Sequence, residues 1–590
     1  MNMVKRNKIQ LISTVLLCIL AVSCSLDPEI DNTYGDEFAF KLPNKAEGFL
    51  MNSYANLPNM ITDQYGGNFL DAATDNAVTN DYGSGIYRLA HGGLTGYANP
   101  MDQWINAYNQ IRNVHIFLQN GLDEEVNYDI TNEENNQKKK RNLKGEAFFL
   151  RAWWSFQLLQ VYGGKTNDGS ALGYPIILSF NNDQESALDT KSVVRNTYAE
   201  CVEQIRKDLD TAMVYLPFEY TGSDPVTGEL QLGRADQQIV AALKARVGVY
   251  AASPAYQPDT VTTLDGMGQF TVVDMAAFEQ KWIKAAQDAQ AAIDLIGNFP
   301  GLSEQDFTSN NTPEEFIWRS FHNNRLLENQ NYPIPEFGQA RTGPSQNLID
   351  AFYSKNGFPI DDARSNYDPQ DPYENRDPRL YLNVLYNGEI LNDDDLQIYE
   401  GGEDSQSVYP GNTRTGYYVR KWLSLQPGLI GVENPANDRH YNPYLRKTEV
   451  YLNFAEASNE AFGPTAVGTG MSKSAVQVIK QIRNKAGITN NTYVDEVAAQ
   501  GKEAFRKLIL RERRLELAFE NQRYFDMRRW FMPLNEPITG VKINLEEDGS
   551  YSYQKFVVEE REFNNLKYYY SPLPFDQLAK SPNLVDNLGW

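Results

Sequence analysis

Apolar residues recur at three- and four-residue spacings through most of the chain. In 138–162 the stripe is Ala147, Leu150, Trp154, Leu158 and Val161, and Gly163-Gly164 stops it. In 235–252 Ile239, Leu243, Val247 and Tyr250 keep the period up to Ser253-Pro254. Ala475, Val478, Ile479, Ile482 and Ala486 run to Gly487, and Phe505, Leu508, Leu515 and Phe519 mark a helix within 499–521. Segments 44–57, 101–120, 192–215, 275–296 and 443–462 read as helices too. Two-residue alternation is rare, around Ile176–Leu178 and Tyr417–Trp422. Paired as 101–120 with 138–162, 192–215 with 235–252, 275–296 with 443–462 and 472–486 with 499–521, the helices predict a mainly α protein. About four antiparallel pairs would stack into a tetratricopeptide-like superhelix, although no fixed repeat length is visible. Segment 298–440 breaks the pattern, being rich in Gly, Pro, Asn, Asp and Tyr. It predicts a large irregular, loop-rich insert, the kind of segment that carries recognition on a rigid scaffold. The expected body is 43–590, with helical parts 43–297 and 441–590 on either side of that insert.

The first residues set the compartment. Lys5, Arg6 and Lys8 precede an apolar run from Ile9 to Val22, too short to span a bilayer, so 1–23 reads as a signal peptide. Ala21-Val22-Ser23-Cys24 resembles a bacterial lipobox, which would make Cys24 the acylated first residue of the mature chain. Asp27, Glu29 and Asp31 follow within a tether over 24–42; this resembles the acidic export pattern of surface lipoproteins of the Bacteroidetes type. Cys18 leaves with the signal, so Cys201 is the last thiol, expected as a small core residue with no disulfide partner. No other stretch approaches 18 apolar residues.

Composition narrows the function. Lys and Arg number 54 against 77 Asp and Glu, a net charge of −23, which argues against a nucleic-acid partner. The four histidines are scattered, so neither a zinc nor a haem site is expected and no cofactor is predicted; whether a metal such as calcium sits in the loops is left open. There is no Gly-x-Ser-x-Gly elbow, phosphate loop or His-Glu-x-x-His. Glu512, Glu516 and Glu520 lie four apart, and carboxylate pairs do hydrolyse glycosides. Arg511, Arg513, Arg514 and Arg523 interleave with them, however, and favour a structural ion-pair network. Arg376-Asp377-Pro378-Arg379 reads as a turn locked by ion pairs, Arg151 with Glu146 as helix-packing charges, Trp153-Trp154 as core, and Gly589-Trp590 as a tail folded back on the body.

A set of motifs is more specific. In order they are Met101-x-x-Trp104-x-x-x-Tyr108-x-x-Ile111-Arg112; Gly145-Glu146-Ala147 with Leu150-Arg151-Ala152-Trp153 and Tyr162-Gly163-Gly164; and Gly233-Arg234-Ala235 leading to Ala242-Leu243-Lys244-Ala245-Arg246. Then come Asn375-Arg376-Asp377-Pro378-Arg379, Glu449-Val450-Tyr451-Leu452-Asn453, Ile482-Arg483-Asn484-Lys485-Ala486-Gly487, Glu512-Arg513-Arg514-x-Glu516-Leu517-x-Phe519-Glu520, and Pro572-Leu573-Pro574 with Gly589-Trp590. Together they resemble the SusD/RagB family of outer-membrane nutrient-binding lipoproteins. The resemblance implies a non-enzymatic protein, lipid-anchored in the outer membrane and facing the cell exterior. Such a protein captures oligo- or polysaccharide and hands it to a TonB-dependent (SusC-like) transporter barrel. A peptide ligand, as in the RagB branch, is the alternative within the family; a surface glycan hydrolase or a protein-binding helical adaptor are the alternatives outside it.

Sugars present C–H faces that stack on aromatic rings and hydroxyls that need amide, acid and Arg partners. Segments 63–97 and 316–353 hold that mixture, and within them Tyr82, Tyr87, Arg88, Trp318, His322, Asn324 and Tyr332 are the candidate ligand contacts. If Trp318 is a stacking platform, Trp318→Ala should weaken glycan binding by about 1–3 kcal/mol.

Overall fold

The amphipathic segments form α1 (Pro43–Ala55), α2 (Trp104–Asn120), α3 (Glu133–Tyr162), α4 (Tyr198–Tyr215), α5 (Gln237–Ala252), α6 (Glu279–Ile296), α7 (Lys447–Phe462), α8 (Ala475–Lys485), α9 (Thr492–Ala499), α10 (Lys502–Glu516) and α11 (Arg523–Arg529). This computed structural model describes residues 40, 42–60, 65–179, 193–258, 278–424 and 438–590. The signal peptide 1–23, Cys24 and all but Phe40 and Leu42 of the tether 24–42 lie outside the described residues. Among the described residues no helix is long and apolar enough to cross a membrane.

Helices α2 to α7 pack each on the next, giving a mainly α, tetratricopeptide-like stack. Three of the expected pairs are present. The fourth differs, because α8 and α10 each pack on α7 with α9 between them, rather than chiefly on each other. Local signals fix the helix starts. Thr197 and Glu200 close a capping box on α4, Asp236 caps α5 through Ile239 N, and Ser474 with Gln477 caps α8. Cys201 lies in the α4 core, where burial pushes its thiol up to about 12.

Two helices are shorter than their periodicity predicts. The segment expected as one helix over 499–521 ends at Glu516. Phe519 and Asn521 then adopt left-handed backbone, and their N–H groups are drawn to the buried Asp71 carboxylate at 3.0 and 3.3 Å. Glu520 therefore leaves the helical face it was expected to share with Glu512 and Glu516. The expected helix 443–462 begins only at Lys447, because the residues before it are strand. The main strands are β1 (Ala77–Thr79), β2 (Phe316–Asn324), β3 (Thr342–Pro344), β4 (Asp438–Arg446), β5 (Ile538–Leu545) and β6 (Tyr551–Glu559). They pair antiparallel as β1 with β3, β2 with β4 and β5 with β6. The alternation at Tyr417–Trp422 yields only a short strand at Tyr418–Val419, and Ile176–Leu178 forms no strand.

Buried charges tie the stack together. Arg246 on α5 donates to Glu449 on α7 at 2.7 Å, and Arg513 on α10 to Asp526 on α11 at 3.1 Å. Glu516 accepts from Arg446 at 3.1 Å, and Glu520 from Arg446 at 2.8 Å and Lys421 at 2.7 Å, so these acids are held by cations as the interleaved sequence suggests. Arg151 and Glu146 do pack helices, but with other partners. Arg151 pairs with Asp208 on α4 at 2.6 Å, and Glu146 with Arg234 at 2.9 Å. Asp377 caps its own turn and pairs with Arg379, whereas Arg376 donates to the carbonyls of Ile349, Phe352 and Pro372 instead of to an acid. Trp153 and Trp154 are core, and the Trp590 indole folds back onto the carbonyls of Lys567 and Tyr570.

Candidate functional site

The seven candidate contacts separate into three places. Trp318 and Tyr332 are in the core, with 1% and 0% of their surface exposed. Residues 316 and 318 alternate onto the inner face of β2, where Trp318 meets the rings of Phe149, Trp153 and Tyr444 and its indole donates to Gly233 O at 3.0 Å. Neither face of that indole is open to a sugar, which corrects the expectation of a stacking platform. Tyr332 follows the short helix Leu326–Asn331 and donates its hydroxyl to the Ser424 carbonyl. It supports a loop from below rather than meeting a ligand.

His322 and Asn324 sit where β2 runs past the body. His322 Nε2 lies 3.2 Å from Asn59 Oδ1, and both residues line a recess of about 100 Å³ with Met60, His440 and Asn442. The recess shares Asn59, Met60 and Asn442 with a second one of about 120 Å³, to which Gln157, Gln160, Tyr65, Tyr444 and Asn521 contribute amides and rings.

Tyr82, Tyr87 and Arg88 lie on a third surface, and here the fold has gathered further residues. Three loops, 79–91, 333–341 and 405–414, are knitted side by side. The Asn80 side chain donates to Gln339 O at 2.7 Å and Gly411 O at 2.6 Å, and Asn80 N donates to Arg341 O at 3.1 Å. Arg341 pairs with Asp81 at 3.1 Å, and Ile334 N donates to Asn412 Oδ1 at 2.9 Å. The β1–β3 ladder fixes the register beneath them.

On this base Tyr82 is 58% exposed, yet it is held. The Arg414 guanidinium lies 4.9 Å from its ring centroid, and Tyr87 meets it edge-on at 5.1 Å. Arg414 is itself fixed by Thr79 O at 2.7 Å and Glu559 at 2.9 Å, and Arg561 holds Glu559 from the other side. Ser84 caps the short helix Gly85–Ala90 through Tyr87 N, and the His91 ring packs on the Tyr87 ring with centroids 4.1 Å apart, which steadies the second ring. Arg88 is exposed on the same helix. Cation and edge contacts thus constrain one side of Tyr82 and leave more than half of the residue to solvent.

Two residues that the sequence reading missed join this surface. Phe337 is 65% exposed with φ +60°, and Tyr409 is 42% exposed. A left-handed aromatic costs backbone energy, and such strain collects at ligand sites. The turn around it is tight: Phe337 N donates to Ile334 O at 2.9 Å, Gly338 N to Pro333 O at 3.0 Å, and a Cβ on Gly338 would lie 2.1 Å from the Tyr332 carbonyl. The local signal was the run Pro333-Ile-Pro335-Glu-Phe337-Gly338, a turn sequence with an aromatic at its tip.

Comparison with known proteins agrees with this architecture. A family described as the SusD family matches residues 305–590, and one described as starch-binding, associating with the outer membrane, matches residues 36–247. The chain belongs to the SusD/RagB family. SusD-like protein P2 of Formosa agariphila is 23% identical over 596 residues, covering 98% of this chain and 98% of that protein. A SusD-like carbohydrate-binding protein from Bacteroides fragilis superposes with a TM-score of 0.69 at 20% identity, covering 93% of this chain and 100% of that one. A laminarin-binding SusD-like protein superposes with a TM-score of 0.58 at 17% identity, covering 93% and 99%.

Proposed function

We propose that the chain is a cell-surface lipoprotein, anchored through Cys24, that binds oligo- or polysaccharide and passes it unaltered to a TonB-dependent outer-membrane transporter. The observation that carries the binding role is the held yet exposed Tyr82 ring, braced by Arg414, with Phe337 and Tyr409 on adjoining loops. Rigid aromatics lose little entropy on binding and offer a face to sugar C–H groups, while Asp81, Arg88 and Arg341 stand near for hydroxyls. The family's starch-binding description and the laminarin-binding relative support a glycan rather than a peptide. The acids most suggestive of hydrolysis, Glu512, Glu516 and Glu520, are held by Arg and Lys, which supports binding without bond cleavage. Anchoring beside the barrel would raise the local ligand concentration, so modest affinity would be enough.

The test is isothermal titration of the full chain in detergent against starch, laminarin and other oligosaccharides, with a peptide panel alongside. At least one glycan should bind, and Tyr82→Ala and Phe337→Ala should each weaken it by about 1–3 kcal/mol. Silence from every glycan while peptides bind would move the protein to the peptide-binding branch. Release of new reducing ends from a bound glycan would overturn the non-catalytic reading.

A further inference from the structure

We propose a second ligand cleft, away from the Tyr82 surface, that takes saccharides carrying acidic groups, either uronate carboxylates or sulfate esters. It stands on its own geometry and not on the Tyr82 reading.

The sequence carries a net charge of −23, yet one cleft of about 860 Å³ runs against that sign. Its walls hold Arg506, Lys507, Arg511, Arg514, Arg523 and Lys555, against Asp350, Asp361 and Glu503. A cleft of this size suits a short oligosaccharide. Lys507, Arg511 and Arg514 are spaced four and three apart on α10 and so share one helical face.

What matters is where each cation's charge is already answered. Arg506 is paired with Glu460 at 2.5 Å, and Lys555 with Asp350 at 2.7 Å. Arg514 and Arg523 share the single carboxylate of Asp75, at 3.2 and 2.8 Å, so that trio keeps a positive excess. Arg511 has no ion pair among the described residues. Its Nε donates to Ala351 O at 2.7 Å, its Nη2 to Asp350 O at 3.4 Å, and its guanidinium lies over the Tyr353 ring at 4.2 Å. Arg514 Nε likewise donates to Asn76 Oδ1 at 2.7 Å and its Nη2 to Asp75 O at 3.0 Å. In both residues Nη1 has no hydrogen-bond partner among the described residues. Lys507 is exposed and has no ion-pair partner among the described residues.

Two guanidinium groups that line the same cleft are thus fixed by main-chain, amide and ring contacts, each with an N–H that meets no partner among the described residues, beside an ammonium that likewise has none among them. Guanidinium edges match the paired oxygens of carboxylate and sulfate, and fixing them beforehand removes much of the ordering cost of binding. A neutral sugar gives these charges nothing to neutralise. An acidic one does, and the oxyanion common to uronates and sulfate esters is what the cleft selects.

The test titrates the full chain with trigalacturonate, with a sulfated carrageenan tetrasaccharide, and with that tetrasaccharide after desulfation. Saturable binding of either acidic probe is expected, weakening as salt is raised, with the desulfated sugar silent. Which of the two binds identifies the acidic group. Lys507→Gln should reduce that affinity measurably, and Lys507→Gln with Arg511→Gln by about tenfold or more, while neutral-glycan affinity at the Tyr82 surface stays as in the parent. Lys507→Gln changes an exposed residue and retains the fold even if the double variant does not. The proposal is overturned if neither acidic probe binds, if Lys507→Gln leaves their affinity unchanged, or if their binding is lost with Tyr82→Ala. It is equally overturned if phosphatidylglycerol vesicles bind through these cations while both acidic sugars stay silent.

Discussion

Arg483 on α8 and Glu512 on α10 meet at 2.7 Å with no exposed side-chain surface on either. Arg379, from the turn at 376–379, reaches the same carboxylate at 2.9 Å. Three separate elements therefore converge on one buried anion. None of these charges has water to fall back on, so removing the anion leaves the Arg483 guanidinium without an acid among the described residues and takes a partner from Arg379, which keeps Asp377 at 2.8 Å. Glu512→Gln is expected to cost about 3–5 kcal/mol of stability, read as a lower denaturation midpoint with an unchanged slope. A change under about 1 kcal/mol would mean that the three elements are held by apolar packing alone.

Acid should unfold the protein through the same network. Burial pushes the Glu512 carboxyl up, but Arg379 and Arg483 outweigh it and hold it below the usual carboxylate range. Glu449, Glu520 and Asp526 are likewise lowered overall, by Arg246, by Arg446 and Lys421, and by Arg513 and Arg529, against the same burial. A carboxylate lowered in the folded state contributes stability that is present above its unfolded value of about 4 and is lost as pH falls through the folded one. Melting temperature should therefore drop steeply below about pH 4. A flat acid limb would contradict this.

Asp404 should act with the opposite sign. Burial pushes its carboxyl up to about 6, although Gln397 N donates to it at 2.8 Å. A raised carboxyl favours the folded state while it is protonated. Its contribution is complete below the unfolded value of about 4 and is lost as pH rises through about 6. Asp404→Asn keeps an acceptor for Gln397 and removes the charge. It should gain stability relative to the parent between pH 5 and 7, on the order of 2 kcal/mol at the upper end. Equal melting curves at both pH values would remove Asp404 from the account.

Trp318 and Tyr82 should respond in opposite ways. Trp318→Ala opens a cavity among Phe149, Trp153 and Tyr444 and should cost about 3–5 kcal/mol of stability, with glycan affinity of the folded fraction unchanged. Tyr82→Ala touches an exposed ring and should leave the melting temperature within a degree or two of the parent while weakening binding. Paired thermal melts and titrations separate the two effects, and a binding loss at Trp318 with full stability would reverse the assignment.

The helical stack was legible because its signals are local. A three-to-four period with a Gly or Pro stop specifies where a helix runs, and α3, α5 and α8 appear close to where that period placed them. The ends of α10 and the start of α7 were not legible. What decides them is the distant Asp71 carboxylate in one case and the partner strand β2 in the other. The proposed ligand surface was half legible. Tyr82, Tyr87 and Arg88 announced themselves as an aromatic and polar cluster, whereas Trp318 and Tyr332 belong to equally rich local sequence and went inward. Composition cannot tell an aromatic that packs from one that waits for a ligand.

By itself the sequence determined the family, the mainly α architecture and the cation-rich partners of the buried acids, because repeated spacing and dense motifs survive without knowledge of contacts. Only the tertiary structure decided which aromatic faces solvent, which arginine is left without an acid, and which loops lie side by side. Asn80 reaches Gln339 and Gly411 across more than two hundred residues of chain. Exposure and proximity of that kind are properties of the packed whole, fixed by neighbours far away along the chain.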